Sequence, residues 1–227
     1  PFTGSDALRV KFSRYVFNIK ASYSDELTAM VRQLAAVGID RVAVVYLNNA
    51  FGTGGLAAVE KSAGEHRVTL LAKVPLEVDG SKMAAAVEQA SKGQPQAIIV
   101  VSAGKPSIDF VDAYLKAGHH STFYMLSVIS NTQLVQVLQD RARGIVITQV
   151  VPPPWNKSAG VARELQGRAA EAGLQELTFS QMEGFISAKF LVEGLRRAGK
   201  TVSRESLIRA LEDLKKHDLG GYVVELS

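Results

Sequence analysis

Five apolar runs recur at regular intervals through the middle of the chain. They begin 22 to 29 residues apart, and a stretch with helical periodicity follows each of the first four. Short apolar runs that alternate with helical patterns are typical of a parallel sheet built from βαβ units. We therefore predict an α/β fold whose parallel sheet carries helices on both faces. The runs occupy residues 42–47, 68–74, 97–103, 123–128 and 145–151.

The predicted sheet restricts where function is to be sought. Parallel sheets place their ligand-binding loops at the carboxyl ends of the strands. The candidate loops are residues 48–54, 102–106, 127–131 and 152–155. Helices are predicted at residues 24–37, 54–62, 81–91, 107–117 and 131–138, and residues 12–21 are predicted to be extended.

The regular alternation stops at Pro152, Pro153 and Pro154, which precede Trp155. Three consecutive prolines donate no ladder hydrogen bonds, so they cannot form an internal strand. Beyond them the sequence predicts helices with broad apolar faces, which need a sheet to cover. Residues after Trp155 offer only one short strand, so we interpret the proline run as a change of lobe. The helices span residues 158–172, 180–198 and 203–216, and the strand spans 222–226.

Composition excludes several classes of function. The net charge is +4, with basic residues scattered along the chain. Nucleic-acid binding needs a concentrated basic face, so we expect no nucleic-acid partner. The chain has no cysteine, which excludes thiol catalysis, disulfides and cysteine-type metal sites. Its apolar stretches are too short to cross a bilayer, so we do not expect it to span a membrane.

A glycine motif follows the first predicted strand. Gly52-Thr53-Gly54-Gly55-Leu56-Ala57 fits the pattern G-x-G-x-x-A, in which glycines let a pyrophosphate approach a helix N-terminus. Four residues separate the strand from Gly52, whereas a dinucleotide fingerprint turns at once. Only Glu77 loosely matches the acid expected after the second strand. A flexible loop with a helix start is therefore the favoured interpretation, with nucleotide binding as the alternative.

Candidate catalytic groups are few. The four histidines lie near predicted turns or helix ends and are expected on the surface, and no set of metal ligands is apparent. Glu183 is either a buried acid of a site or the partner of a nearby Lys or Arg. Ser127 and Ser130 follow a strand, where a hydroxyl either faces a ligand or caps the next helix. We predict no catalysis, no cofactor and no metal.

Several short stretches carry a family resemblance along essentially the whole chain. They are Pro1-Phe2-Thr3-Gly4-Ser5, Tyr15-Val16-Phe17-Asn18, Ser22-Tyr23-Ser24-Asp25-Glu26, Val42-Ala43-Val44-Val45-Tyr46, Ala50-Phe51-Gly52-Thr53-Gly54 and His217-Asp218-Leu219-Gly220-Gly221. In their order and spacing they resemble type I periplasmic binding proteins, in particular the branched-chain amino-acid receptors of ABC importers. In that family two α/β lobes, joined by three crossover strands, close on a small ligand.

The resemblance implies a division of the chain. Residues 1–21 would be the end of lobe one and the first crossover, residues 22–149 a complete lobe two, and residues 150–227 the return crossover with the C-terminal part of lobe one. About the first third of a usual receptor, and a C-terminal segment, would then lie outside this sequence. We accordingly expect a fragment whose lobe-one helices lack their sheet.

The resemblance also implies the ligand contacts. The loop at residues 1–5 would hold a ligand carboxylate, and Phe51 would line the interlobe cleft and cover the ligand. No aromatic stands at Ala103 or Gly104, and no acid stands at Ser127 or Val128, where amino-acid receptors often carry one for the ammonium group. That departure favours a carboxylate-bearing or aromatic ligand. The implied contacts are Phe2, Thr3, Gly4, Ser5, Tyr23, Phe51, Ala103, Gly104 and Ser127.

The sequence is therefore compatible with three functions. The first is a periplasmic solute receptor that delivers a small ligand, an amino acid or another small carboxylate, to ABC permease subunits. The second is an α/β enzyme that uses a nucleotide cofactor through Gly52–Ala57. The third is a ligand-sensing regulatory domain with the same fold.

Overall fold

The computed structural model describes residues 3–226, and their contacts divide the chain into two compact units. The sheet unit is Tyr23–Thr148. The split unit comprises the described parts of Pro1–Ser22 and Gln149–Ser227. We describe each unit by itself.

The sheet unit contains five parallel strands in the order β2-β1-β3-β4-β5. This confirms the parallel α/β sheet that the apolar runs predict. Val42 of β1 is opposite Ala97 of β3, which in turn is opposite Thr122 of β4. The strands are β1 (Arg41–Leu47), β2 (Thr69–Leu76), β3 (Ala97–Val101), β4 (Thr122–Met125) and β5 (Val146–Ile147).

Alternate strand residues face two apolar clusters, one on each side of the sheet. On β3, Ile98 packs in one cluster and Ile99 in the other, and both are fully buried. Such continuous apolar strands are what a sheet covered on both faces requires. The helices of this unit are α1 (Tyr23–Ala36), α2 (Ala50–His66), α3 (Met83–Ser91), α4 (Lys105–Lys116) and α5 (Asn131–Leu138).

Two elements of the sheet unit differ clearly from the sequence prediction. The apolar run at residues 145–151 forms only the two-residue strand β5, which lies at the edge of the sheet and pairs with β4 alone. The helix predicted from residue 54 begins at Ala50, because the Asn49 side chain accepts a hydrogen bond from the Gly52 N–H and caps it. Glycines in the first turns hid that helix start.

The split unit has three helices and one antiparallel hairpin. The helices are α6 (Gly160–Glu171), α7 (Phe179–Ala198) and α8 (Arg204–Glu212), and the hairpin strands are β6 (Lys216–Asp218) and β7 (Val223–Glu225). The helix predicted to reach residue 216 ends at Glu212, because Lys216 pairs in the hairpin instead. Apart from a short 3₁₀ turn at Asp6–Leu8, residues 3–22 of this unit form no helix or strand.

Polar links add to the small core of the split unit. Lys20 and Glu183 form an ion pair at 2.6 Å with side chains only 7% and 12% exposed. The Tyr222 hydroxyl donates to the carbonyl of Ile19 at 3.0 Å and contacts that of Val150 at 3.4 Å. Burial, together with the negative charge of Glu183, raises the pKa of Tyr222. The final hairpin is thereby tied to both segments of the unit.

Candidate functional site

The candidate site of the sheet unit lies at the carboxyl edge of its sheet. Because all five strands are parallel, the loops that follow them emerge on one side. Helix α1 leads into β1, which begins at the opposite edge of the sheet. The first turn of α1 therefore lies at the carboxyl edge. Side chains from that turn meet the loops after β4 and β5.

Glu26 is central to this arrangement. Its carboxylate accepts hydrogen bonds from the Ser127 N–H and the Ser127 hydroxyl, each at 2.8 Å, and from the Thr148 hydroxyl. Glu26 is only 4% exposed. A buried carboxylate is costly unless donors satisfy it, and these three donors do so. Glu26 thus connects the start of α1 to the segments after β4 and β5.

The contacts of Ser127 extend what the sequence suggests. Its hydroxyl donates to Glu26, so it is neither free nor a helix cap. Capping is the role of Ser130, whose side chain accepts from the Gln133 N–H at 3.3 Å. Sequence analysis gave Glu26 no role of its own and missed this cluster. The available signal was its position on the buried stripe of α1, four residues before Met30.

Helix α1 also contributes Tyr23, three residues before Glu26, to an aromatic pair. Tyr23 contacts Phe51 edge-to-face, with ring centroids 5.1 Å apart. Phe51 lies in the first turn of α2 and packs against the apolar cluster under α1 and α2 while staying half-buried. It is therefore not enclosed in the core. Its place in an interlobe cleft stays a prediction.

The whole glycine motif is part of a helix, which corrects its interpretation as a flexible loop with a helix start only at residue 54. Residues 52–57 lie within α2, whose N-terminus Asn49 already caps. A β-carbon at Gly52 would lie 1.9 Å from the Leu47 carbonyl oxygen, and one at Gly55 would lie 2.3 Å from Cγ1 of Val101. These glycines let α2 approach β1 and β3 closely. Helix packing explains the motif without a phosphate.

The loop after β3 contributes little beyond its backbone. Ala103 is half-buried and Gly104 exposed, and Gly104 adopts a positive φ of 67° just before α4. Below them the Ser107 hydroxyl donates to that of Ser102 at 2.9 Å. Neither Ala103 nor Gly104 brings an aromatic surface to the edge. Their role as ligand contacts stays a prediction.

The remaining implied contacts belong to the split unit. Phe2 lies outside the described residues. The Thr3 hydroxyl accepts from the Ser5 N–H at 3.1 Å, Gly4 is buried, and Ser5 precedes the 3₁₀ turn. A carboxylate-binding role for this loop stays a prediction.

Other singled-out residues have structural partners. Glu183 pairs with Lys20, which is the second of the two alternatives that the sequence left open. The ring of His66 contacts the Ser62 carbonyl at 3.0 Å, and the His119 ring lies 5.0 Å from that of Tyr114 in a tilted arrangement. Within residues 3–226 no three His, Asp or Glu side chains converge as metal ligands. No helix of this part of the chain combines the length and apolarity needed to cross a bilayer.

Comparisons with known proteins agree with the fold. The profile of the family described as periplasmic binding protein matches residues 2–224. A substrate-binding periplasmic protein from Ralstonia solanacearum is 31% identical over 97% of this chain, with a TM-score of 0.88. An extracellular ligand-binding receptor from Verminephrobacter eiseniae is 27% identical over 99%, with a TM-score of 0.91. A possible leucine/isoleucine/valine-binding protein from Rhodopirellula baltica is 28% identical over 100%, with a TM-score of 0.90.

The chain is shorter than these proteins. It spans 63%, 66% and 63% of their respective lengths. A search of curated protein sequences gave no match.

Proposed function

Because this chain belongs to the periplasmic binding protein family, we propose that it forms part of an extracytoplasmic receptor for a small solute. The receptor binds an amino-acid-like or other carboxylate-bearing ligand reversibly and delivers it to the permease subunits of an ABC importer in the periplasm. The observation that carries this proposal is the family match over residues 2–224. The Rhodopirellula relative, named as a possible leucine/isoleucine/valine-binding protein, supports the choice of ligand class.

The geometry of the sheet unit supports binding rather than chemistry. Its carboxyl edge offers the half-buried Phe51, the backbone around Gly104 and the polar cluster at Ser127. A serine nucleophile needs an adjacent base that can take and return its proton. The Ser127 hydroxyl donates to the Glu26 carboxylate, which is a weak base and which two further donors also hold in place. We therefore propose a receptor without catalysis.

The nucleotide alternative has less support. Its glycines lie inside α2, and the Gly52 N–H already donates to Asn49. A phosphate at this helix end would have to displace that cap. No specific contact favours a regulatory domain over a transport receptor, and neighbouring permease genes would distinguish the two.

Ligand capture tests the proposal directly. The purified full chain is titrated with a panel of amino acids and of simple carboxylic acids by calorimetry and native mass spectrometry, with NAD⁺ and ATP as controls. We expect saturable binding of at least one carboxylate, its release unchanged, and no binding of either nucleotide. Binding of a nucleotide with no binding of any carboxylate would overturn the proposal, as would turnover that is lost on substituting Ser127.

A further inference from the structure

We infer that the free edge of β7 in the split unit is a docking site for an extended, acidic segment of another protein, which adds to the hairpin as a third strand. The site is a groove of about 780 Å³ that runs along β7. All residues that line it belong to the split unit, so the inference is independent of ligand binding by the sheet unit. A segment that adds to a sheet edge is held by main-chain hydrogen bonds and selected by its side chains.

The backbone of β7 is the first reason. The Leu226 N–H donates to the Lys215 carbonyl, which fixes the hydrogen-bonded pairs of the hairpin. In an antiparallel pair, residues that bond to the partner strand alternate with residues whose backbone groups point away. Val223 and Glu225 are therefore the outward-pointing residues of β7. Neither forms a backbone hydrogen bond with any residue that the structure describes.

The groove follows that free edge. Every residue from 222 to 226 lines it, whereas none of the three residues of β6 does. A cavity over a face of the hairpin would contact both strands. The other wall is the irregular stretch at residues 16–21, in which Phe17 and Asn18 form no backbone hydrogen bond with the described part of the chain. An added strand thus meets unpaired backbone groups on both sides.

The charge of the groove favours an acidic occupant. Five basic and two acidic side chains line it. Both acids are in ion pairs, and so are Arg14 and Lys20. A second copy of this chain would bring the same surplus of positive charge, so an acidic segment of a different protein is the better match. Three lining cations form no ion pair within residues 3–226, namely Arg9, Lys11 and Lys215.

Two buried polar atoms of the groove need partners of the kind that a peptide supplies. Nε of Arg9 and Oδ1 of Asn18 are buried and form no hydrogen bond with any described residue. The Arg9 atom needs an acceptor, and the Asn18 atom needs a donor. A simple anion supplies acceptors alone, whereas an acidic peptide supplies both carboxylates and N–H groups. Because an unpartnered buried polar group costs stability, satisfying both atoms favours binding of a peptide.

Apolar side chains define the rest of the surface. Phe12, Val16 and Phe17 line the groove beside the unpaired cations, and Phe12 is 87% exposed. Successive side chains of a strand point to opposite faces, so an added strand presents two different surfaces. The occupant is therefore a strand in which acidic and apolar residues alternate.

The test is calorimetry on the full chain with a capped octapeptide of alternating glutamate and valine. One control peptide carries lysine in place of glutamate. A second control has the first sequence but is N-methylated at every second residue, which blocks pairing along one edge. We expect saturable binding of the glutamate peptide and at least about tenfold weaker binding of both controls. Hydrogen exchange of residues 219–226 should slow in the complex.

Variants separate the two sources of affinity. Lys11→Gln/Lys215→Gln removes two exposed charges of the groove and should weaken binding by about three- to tenfold. Lys157→Gln/Lys200→Gln removes two exposed charges elsewhere in the split unit and should keep the affinity. Val223→Pro removes an outward N–H that the hairpin does not use, and should weaken binding by at least about fivefold. Val223→Thr retains that N–H and should keep the affinity.

Four results would show the inference to be wrong. They are no binding of the glutamate peptide, equal binding of the lysine peptide, equal losses in the two lysine double variants, and unchanged affinity in Val223→Pro. If circular dichroism shows that Val223→Pro does not fold, the N-methylated peptide tests the edge instead, and equal binding of that peptide contradicts strand addition. A chain that sediments as a dimer and binds the peptide only as a monomer would identify a second copy as the occupant, against the inference.

Discussion

The two units bury their apolar side chains by different means. In the sheet unit, two clusters enclose the strands, and every large apolar residue that stays exposed in its described part is a valine. In the split unit, aromatic and leucine side chains are exposed as well. Phe12 is 87% exposed, Tyr15 69% and Trp155 61%. The sheet that is covered on both faces therefore buries large apolar side chains, whereas in the split unit the segments outside the helices and the hairpin leave Phe12, Tyr15 and Trp155 exposed.

The difference shows what holds each unit together. Fully buried aromatic and branched side chains stabilise the sheet unit through the hydrophobic effect. The split unit has one smaller cluster and adds polar links such as Lys20–Glu183 and the Tyr222 hydroxyl. We therefore expect the sheet unit to respond most to loss of volume and the split unit to loss of charge.

Truncation of a buried ring gives the largest expected effect. Phe110→Ala empties a fully buried position between Tyr114 and Phe123 and should lower the free energy of unfolding by about 3–5 kcal/mol. Phe12→Ala removes the same atoms from a position in water and should change it by less than about 0.5 kcal/mol. Chemical denaturation of both variants measures the difference. Similar losses would show that Phe12 is covered in solution.

Removal of one partner of the buried ion pair comes next. Lys20→Met leaves Glu183 poorly exposed and without a cation, which should cost about 3 kcal/mol of stability. Lys92→Met breaks an exposed pair with Glu88 and should cost at most about 0.5 kcal/mol. In the double variant Lys20→Met/Glu183→Leu much of the lost stability should be recovered, because no buried charge is then left without a partner. A double variant as unstable as Lys20→Met would contradict this account.

Two glycine substitutions in α2 test the close packing of helix and sheet. Gly52→Ala places a β-carbon against the backbone of Leu47 and should destabilise the protein by about 1–3 kcal/mol. Gly54→Ala meets no atom within 4 Å and should stabilise it by up to about 1 kcal/mol through higher helix propensity. Thermal melts of the two variants should shift in opposite directions. Equal shifts would mean that α2 does not pack as described.

The smallest expected effect depends on pH. Hydrogen bonds from Arg196 and Arg197 lower the pKa of Glu193 from 4.5 to about 2. The unfolded chain binds this proton at higher pH, so the stabilisation is complete above about pH 4.5 and declines as the pH falls towards 2. Because the Arg side chains are largely exposed, we expect less than about 1 kcal/mol. The stability difference between the unmodified chain and Glu193→Gln should shrink between pH 6 and pH 3, and a constant difference would contradict the shift.

Prediction from sequence succeeded where local pattern and final environment agree. The central strands were found because their apolar runs are buried on both faces, as at Ile98 and Ile99. The run at residues 145–151 gave only a two-residue strand, since periodicity does not show that a strand lies at an edge. Glu26 was missed because Ser127 and Thr148 lie 101 and 122 residues from it in the chain. Such contacts depend on the order of the strands, which the sequence pattern alone does not specify.

The closely packed glycines of α2 have a consequence for motif searches in genomes. Contacts with Leu47 and Val101 exclude a β-carbon at Gly52 and Gly55, so selection for packing alone can maintain a G-x-G-x-x-A pattern after a strand. A pattern search then reports a dinucleotide-binding site where the constraint is steric. The position of the first glycine relative to the helix start separates the two cases, because Gly52 here falls inside the helix and after its cap.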